Sequence, residues 1–130
     1  MQPNGFQIKT IQFKKLDFER VEELREEIDL DCGSAISAVA KKNAENEYVI
    51  QLNVNLSFKQ GDMEIFHIRL VMIGTVEVGN AFKESLLNNA VLIMQFYLQP
   101  IVEQMITIAK LPPLDLPFID FGEFEVKIES

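Results

Sequence analysis

The chain has 130 residues, 48% hydrophobic and 25% charged, which suits one folded domain with its own core. Twenty acidic against 12 basic residues give a net charge of −8, which argues against nucleic acid and against an anionic membrane surface, since both need clustered Lys and Arg. A single cysteine, Cys32, excludes an internal disulfide, and the opening MQPNGFQIKT lacks the apolar run of a secretion signal, so a cytoplasmic protein is expected.

Residues 6–13 (FQIKTIQF) read as a strand. Phe6 and Ile8 share one face, and Ile11 and Phe13 restart the alternation out of phase, which predicts a bulge near Thr10. Residues 17–27 read as a short acidic helix: Phe18, Val21, Leu24 and Ile28 recur at three- and four-residue spacing behind Asp17 as N-cap. Ile28, Leu30 and Cys32 then alternate with aspartates, a strand running on toward Ala40. After a turn at 43–47 comes the clearest alternation, with Tyr48, Ile50, Leu52, Val54, Leu56 and Phe58 on one face and polar residues between them. A hairpin turn at 59–62, with Gly61 able to take positive φ, leads to Phe66, Ile68, Leu70 and Met72 on one side and His67 and Arg69 on the other. Gly74 and Gly79 bracket one more extended piece, 75–78.

A long helix is predicted over residues 82–110. Leu87, Ala90, Val91, Met94, Tyr97, Leu98, Ile101, Val102, Met105 and Ile106 make a broad apolar arc. Glu84, Asn88, Gln95, Gln99, Glu103 and Thr107 leave a thin polar stripe. Such an arc exceeds what one sheet face covers, so a generous core, self-association and an apolar peptide groove all remain open readings. Gln95, Gln99, Pro100, Glu103 and Gln104 interrupt the segment, which argues against membrane insertion. Pro100 should kink the helix by removing the bond to the carbonyl of Phe96. Residues 111–121, with three prolines, form a stiff apolar loop, and 123–130 alternate as a short last strand. Strands grouped ahead of a helix give an α+β class.

Candidate chemistry is sparse. His67 is the only histidine and Cys32 the only cysteine, and no third group suggests itself to orient such a pair. The zinc spacings, EF-hand loop and phosphate-cradling glycine motifs are all missing. The expectation is a protein that is not an enzyme, with no cofactor and no metal.

Several strings and their order resemble the SecB family of protein-export chaperones. FQI at 6–8 with Ile11, Leu16, Phe18 and Glu19 is similar to the family's first strand, and EIDLD at 27–31 to its next. Tyr48, Leu52, Val54, Gly61 and Phe66 fall at positions of the following hairpin. Ile93, Tyr97 and Met105 fit its long helix, and Pro112, Leu114, Leu116 and Phe121 its proline-rich loop. The chain is also similar to small acidic proteins of unknown function from streptococci and lactic-acid bacteria. The SecB resemblance implies a single domain over 1–130, with a four-stranded antiparallel sheet and a long helix packed on one face. It implies homo-oligomers, dimers or tetramers, that hold unfolded apolar polypeptide without ATP and pass it to an export motor. The groove it implies comprises Phe96, Tyr97, Leu114, Leu116, Phe118 and Phe121. The docking sheet face it implies carries Lys15, Glu19, His67 and Arg69. Here Lys15 replaces a family acid, and His67-x-Arg69 replaces a family Leu-x-Glu. The family's second helix, due after Phe121, is replaced by a strand-like stretch. The alternative is an oligomeric interaction protein of the same fold with one fixed partner.

Overall fold

Period-two alternation organises most of this chain into one sheet. A computed structural model describes residues 5–25, 29–79, 82–111 and 126–129. Its strands are β1 (Phe6–Arg20), β2 (Asp31–Ala44), β3 (Glu47–Gln60), β4 (Met63–Val78) and β5 (Lys127–Glu129), and the helix α1 (Leu87–Ile108) follows a single 3-10 turn at Glu84–Leu86. The sheet order is β1-β4-β3-β2-β5. The first four strands pair antiparallel, and β5 lies parallel to β2. The fold is therefore α+β with a mixed five-stranded sheet, one strand more than the four-stranded antiparallel sheet expected.

The core lies between α1 and one face of the sheet. Ile50, Leu52, Val54, Leu56 and Phe58 of β3 and Ile68, Leu70, Met72 and Val76 of β4 meet Leu87, Val91, Met94, Leu98 and Val102 of α1, all buried. Gly74 continues the inward phase of β4, so the extended piece at 75–78 is the end of this strand rather than a separate one. A Cβ at Gly74 would stand 2.9 Å from the Met94 sulfur, so glycine here permits close approach of helix to sheet. Tyr48 ties the start of the helix to β3. Its ring lies 5.4 Å from that of Phe82, and its hydroxyl donates to Glu84 at 3.3 Å. The other face of the sheet is covered by no described element.

β1 departs furthest from the sequence reading. It has two bulges, one between Ile8 and Thr10 as expected and a second between Phe13 and Lys15. Each absorbs one residue, so Phe6, Ile8, Ile11, Phe13, Leu16 and Phe18, spaced 2-3-2-3-2, all face α1. A strand with regular bulges thus imitates helical spacing, and the helix expected at 17–27 does not form. β1 continues to Arg20, and irregular chain follows to Arg25. The N–H groups of Val21 and Glu22 donate to the Ile65 carbonyl, at 2.8 and 3.2 Å. The Gln60 side chain makes two 2.8 Å bonds to the Arg25 backbone and pins this crossover to the β3–β4 hairpin.

Two features of the helix also differ from expectation. Gln95, read as part of a wet stripe, is buried, and Asn88 is half-buried with its Oδ1 accepting the Val126 N–H at 2.8 Å. Among the described residues every buried side-chain nitrogen or oxygen has a partner. At the C-terminus Lys110 takes φ 60°, and the Leu111 N–H closes on the Ile106 carbonyl at 3.1 Å, a left-handed cap. Arg20, on the helix-side face at the end of β1, donates to the Ala109 carbonyl. α1 runs through Pro100 without a break in the helix. By length and composition Glu84–Ile108 could cross a membrane, but its apolar stripe is the one packed into the sheet core.

Candidate polypeptide-binding surfaces

The flank where β1 meets α1 exposes large apolar side chains. Phe13, Leu16 and Phe18 of β1 point to the helix side, yet α1 does not reach over them. On α1, Phe96, Tyr97 and Ile108 are exposed. Between the two elements runs an open groove of about 360 Å³, lined by Ile8, Lys9, Thr10, Ile11 and Phe13 from β1 and Tyr97 and Ile101 from α1. Among the described residues, the ring of Phe18 has an aromatic neighbour, Phe66, at 6.1 Å. Contiguous apolar surface of this kind in a small domain marks a contact site.

Of the six residues named for a groove, Tyr97 lines this one. Phe96, one residue along, falls on the side of α1 turned away from the sheet and does not join it. Leu114, Leu116, Phe118 and Phe121 lie outside the described residues. Ile8, Ile11, Phe13 and Ile101 line it as well, and the groove expected from the sequence, made of helix and loop residues, does not include them. For the three on β1 the signal that points to them is the 2-3-2-3-2 spacing.

The opposite, open face gathers the second set. Lys15, Glu19, His67 and Arg69 all lie there, with Glu19 paired to His67, Asp17 to Arg69 and Lys15 to Val71 across the β1–β4 ladder. A shallow depression of about 440 Å³ beside them has small residues, Gly33, Ala35 and Ser57, on one side and His67 and Arg69 on the other. Glu64 links this patch. It accepts from the Ser57 hydroxyl at 2.6 Å and lies 3.1 Å from His67 Nδ1. The bond from Ser57, then that from His67, holds the Glu64 carboxyl below its ordinary range. The carboxylate sits between serine and histidine, so His67 is not placed to take the serine proton.

Cys32 and His67 are separated by the sheet itself. Cys32 pairs with Phe58 on the helix side, whereas His67 pairs with Ser57 on the open side. Burial pushes the Cys32 thiol up to about 11, so it stays protonated at neutral pH. A Cys–His dyad is thereby ruled out. Among the described residues no group of three or more His, Cys, Asp or Glu side chains could hold a metal ion.

Among curated proteins none matches the chain. Among solved structures, the Mycobacterium tuberculosis Rv1957 SecB-like chaperone, in complex with a ChAD peptide from the Rv1956 HigA1 antitoxin, is similar in fold. The TM-score is 0.65 at 14% identity, over 92% of this chain and 98% of that one. The family model for SecB, preprotein translocase subunit SecB, matches residues 1–127. That match spans nearly the whole length, strands and helix alike, and so the chain belongs to the SecB family.

Proposed function

We propose that this protein is an ATP-independent holding chaperone that binds unfolded, apolar polypeptide in the groove between β1 and α1. The observation that carries the reading is the row of apolar side chains on β1, turned toward the helix side and left uncovered. Family membership supports a chaperone and polypeptide-binding role, and the Rv1957 chaperone of similar fold was solved with a peptide bound. Burial of such a strip against an extended segment contributes roughly 25 cal/mol per Å² before ordering costs. Tyr97 is the anchor of the groove, and Leu114, Leu116, Phe118 and Phe121 take part in holding the same polypeptide. Phe96, facing away from the sheet, serves self-association into a dimer or tetramer. The open face with Lys15, Glu19, His67 and Arg69 is the docking surface for a downstream partner, and the protein works in the cytoplasm. No step of this function requires a catalytic group or cofactor.

Suppression of aggregation by a chemically unfolded client tests the proposal. Stoichiometric amounts of the protein should keep the client soluble without ATP, and substitution of Tyr97 by Asp should abolish the effect. Absence of suppression even in large molar excess would remove the chaperone reading. It would leave the alternative, in which the same apolar strip serves self-assembly or one fixed partner.

A further inference from the structure

The apolar row on β1 and the condition of its outer edge have one cause. Without bulges, a period of two would place Ile8, Leu16 and Phe18 on one face of the strand and Ile11 and Phe13 on the other. Bulges at Lys9 and Lys14 each shift the phase by one residue and bring all five to the helix side. The same bulges spoil the edge. β1 is the end strand of the sheet among the described residues. At each bulge its main-chain N–H and C=O groups leave the even spacing that a further strand needs. Along the groove wall at 8–13 the longest unshifted run of pairing with β4 is residues 10–13, and exposed Lys9 and Lys14 stand at its two ends.

The lining of the groove points the same way. Apart from Lys9, Thr10 and the Tyr97 hydroxyl, its side chains have nothing to hydrogen-bond a peptide main chain. The Lys9 ammonium is already taken up by Glu47 and Glu77, at 3.9 and 3.7 Å. β1 thus gives up regular main-chain pairing at its edge in exchange for an unbroken row of apolar side chains.

We propose that the β1–α1 groove recognises polypeptide through apolar side chains alone, with no strand added to β1, which rests on that groove being where clients are held. The groove is open, so the main chain of the occupant keeps its hydrogen bonds to water. The class of segment taken is then set by apolar side chains and not by β-propensity or free amide groups. Strand addition needs the N–H groups of alternate residues, which proline and N-methylated residues lack. Apolar segments that carry proline therefore bind as well as β-prone ones.

Fluorescence anisotropy of the full chain with labelled peptides tests the proposal. The probes are a ten-residue peptide rich in leucine and phenylalanine and two forms of it, N-methylated at the odd or at the even backbone amides. All three should bind within about threefold of one another, and Tyr97→Asp should weaken all three about tenfold or more. Loss of about tenfold or more in one methylated form and not the other is the signature of strand addition. It would overturn the proposal and leave the groove as the client site, provided that Tyr97→Asp still weakens the parent peptide. A loss of that size in both forms would overturn it equally, since the main chain would then contribute. No binding of the parent peptide, or no effect of Tyr97→Asp on any of the three, would overturn the client site and the proposal together.

Discussion

Leu70 and Leu16 are cross-strand partners on the helix-side face, yet Leu70 is 1% exposed and Leu16 47%. The rows on either side repeat the contrast, Met72 at 1% beside Phe13 at 37%, and Ile68 at 0% beside Phe18 at 46%. Chemistry, face and register are alike in each pair, and only the cover differs. The inward side chains of β3 and β4 are covered, and those of β1 from Phe13 to Phe18 are left exposed. Two bulges, each a local break in pairing, keep every apolar residue of β1 turned to the helix side. A strand patterned for burial but left exposed among the described residues is a strand patterned for something else to cover.

The contrast can be broken by truncation. Leu70→Ala should cost about 2–5 kcal/mol, the range for a fully buried leucine, and Leu16→Ala less than about 1 kcal/mol. Urea unfolding followed by far-ultraviolet circular dichroism measures both. Equal costs would mean that β1 is covered after all. A smaller effect sharpens the buried half. Gly74→Ala should cost about 1–2 kcal/mol by pressing on Met94, and in a Gly74→Ala/Met94→Ala double variant the two losses should sum to less than their separate values. The same unfolding assay reads that coupling.

Smaller still are the pH effects, which separate the two faces of the sheet. Glu64 on the open face has its pKa lowered by the hydrogen bond from Ser57 and then by that with His67. Its contribution is therefore present above the unfolded pKa and fades as pH falls through the folded one. Glu64→Gln should flatten the acid limb of the stability profile. Cys32 on the helix face behaves oppositely. Its thiol is raised from 9.0 to about 11, so between those values the unfolded chain loses its proton while the folded one keeps it, and stability falls as pH rises. Cys32→Ala should remove that alkaline loss. Chemical denaturation at a series of pH values checks both signs.

How much of this was legible in the sequence differs in the same way. From Tyr48 to Phe58 and from Phe66 to Met72 the strands β3 and β4 alternate regularly because one face is buried and the other is not, and both were legible there, whereas the run of β4 through Gly74 to Val78 was not. The helix was legible from its arc, since Leu87, Val91, Met94, Leu98 and Val102 repeat at three- and four-residue intervals. β1 was not, because bulges at Lys9 and Lys14 turned a period of two into a mixture that a helix also produces. Gln95 and Asn88 were misplaced for another reason. Their burial depends on what lies beside the helix in space, and no local spacing carries that. The second bulge and the reach of β1 to Arg20 are what join Phe13, Leu16 and Phe18 to the site.

The groove is the centre of the account, and it can be tested by affinity. Binding of a fluorescently labelled, permanently unfolded polypeptide should be compared for the wild type, a Phe13→Asp/Tyr97→Asp variant and an Arg69→Ala control on the open face. The double variant should bind about tenfold or more weakly at nearly unchanged thermal stability, with the control unaffected. Unchanged affinity in the double variant, or an equal loss in the control, would contradict it.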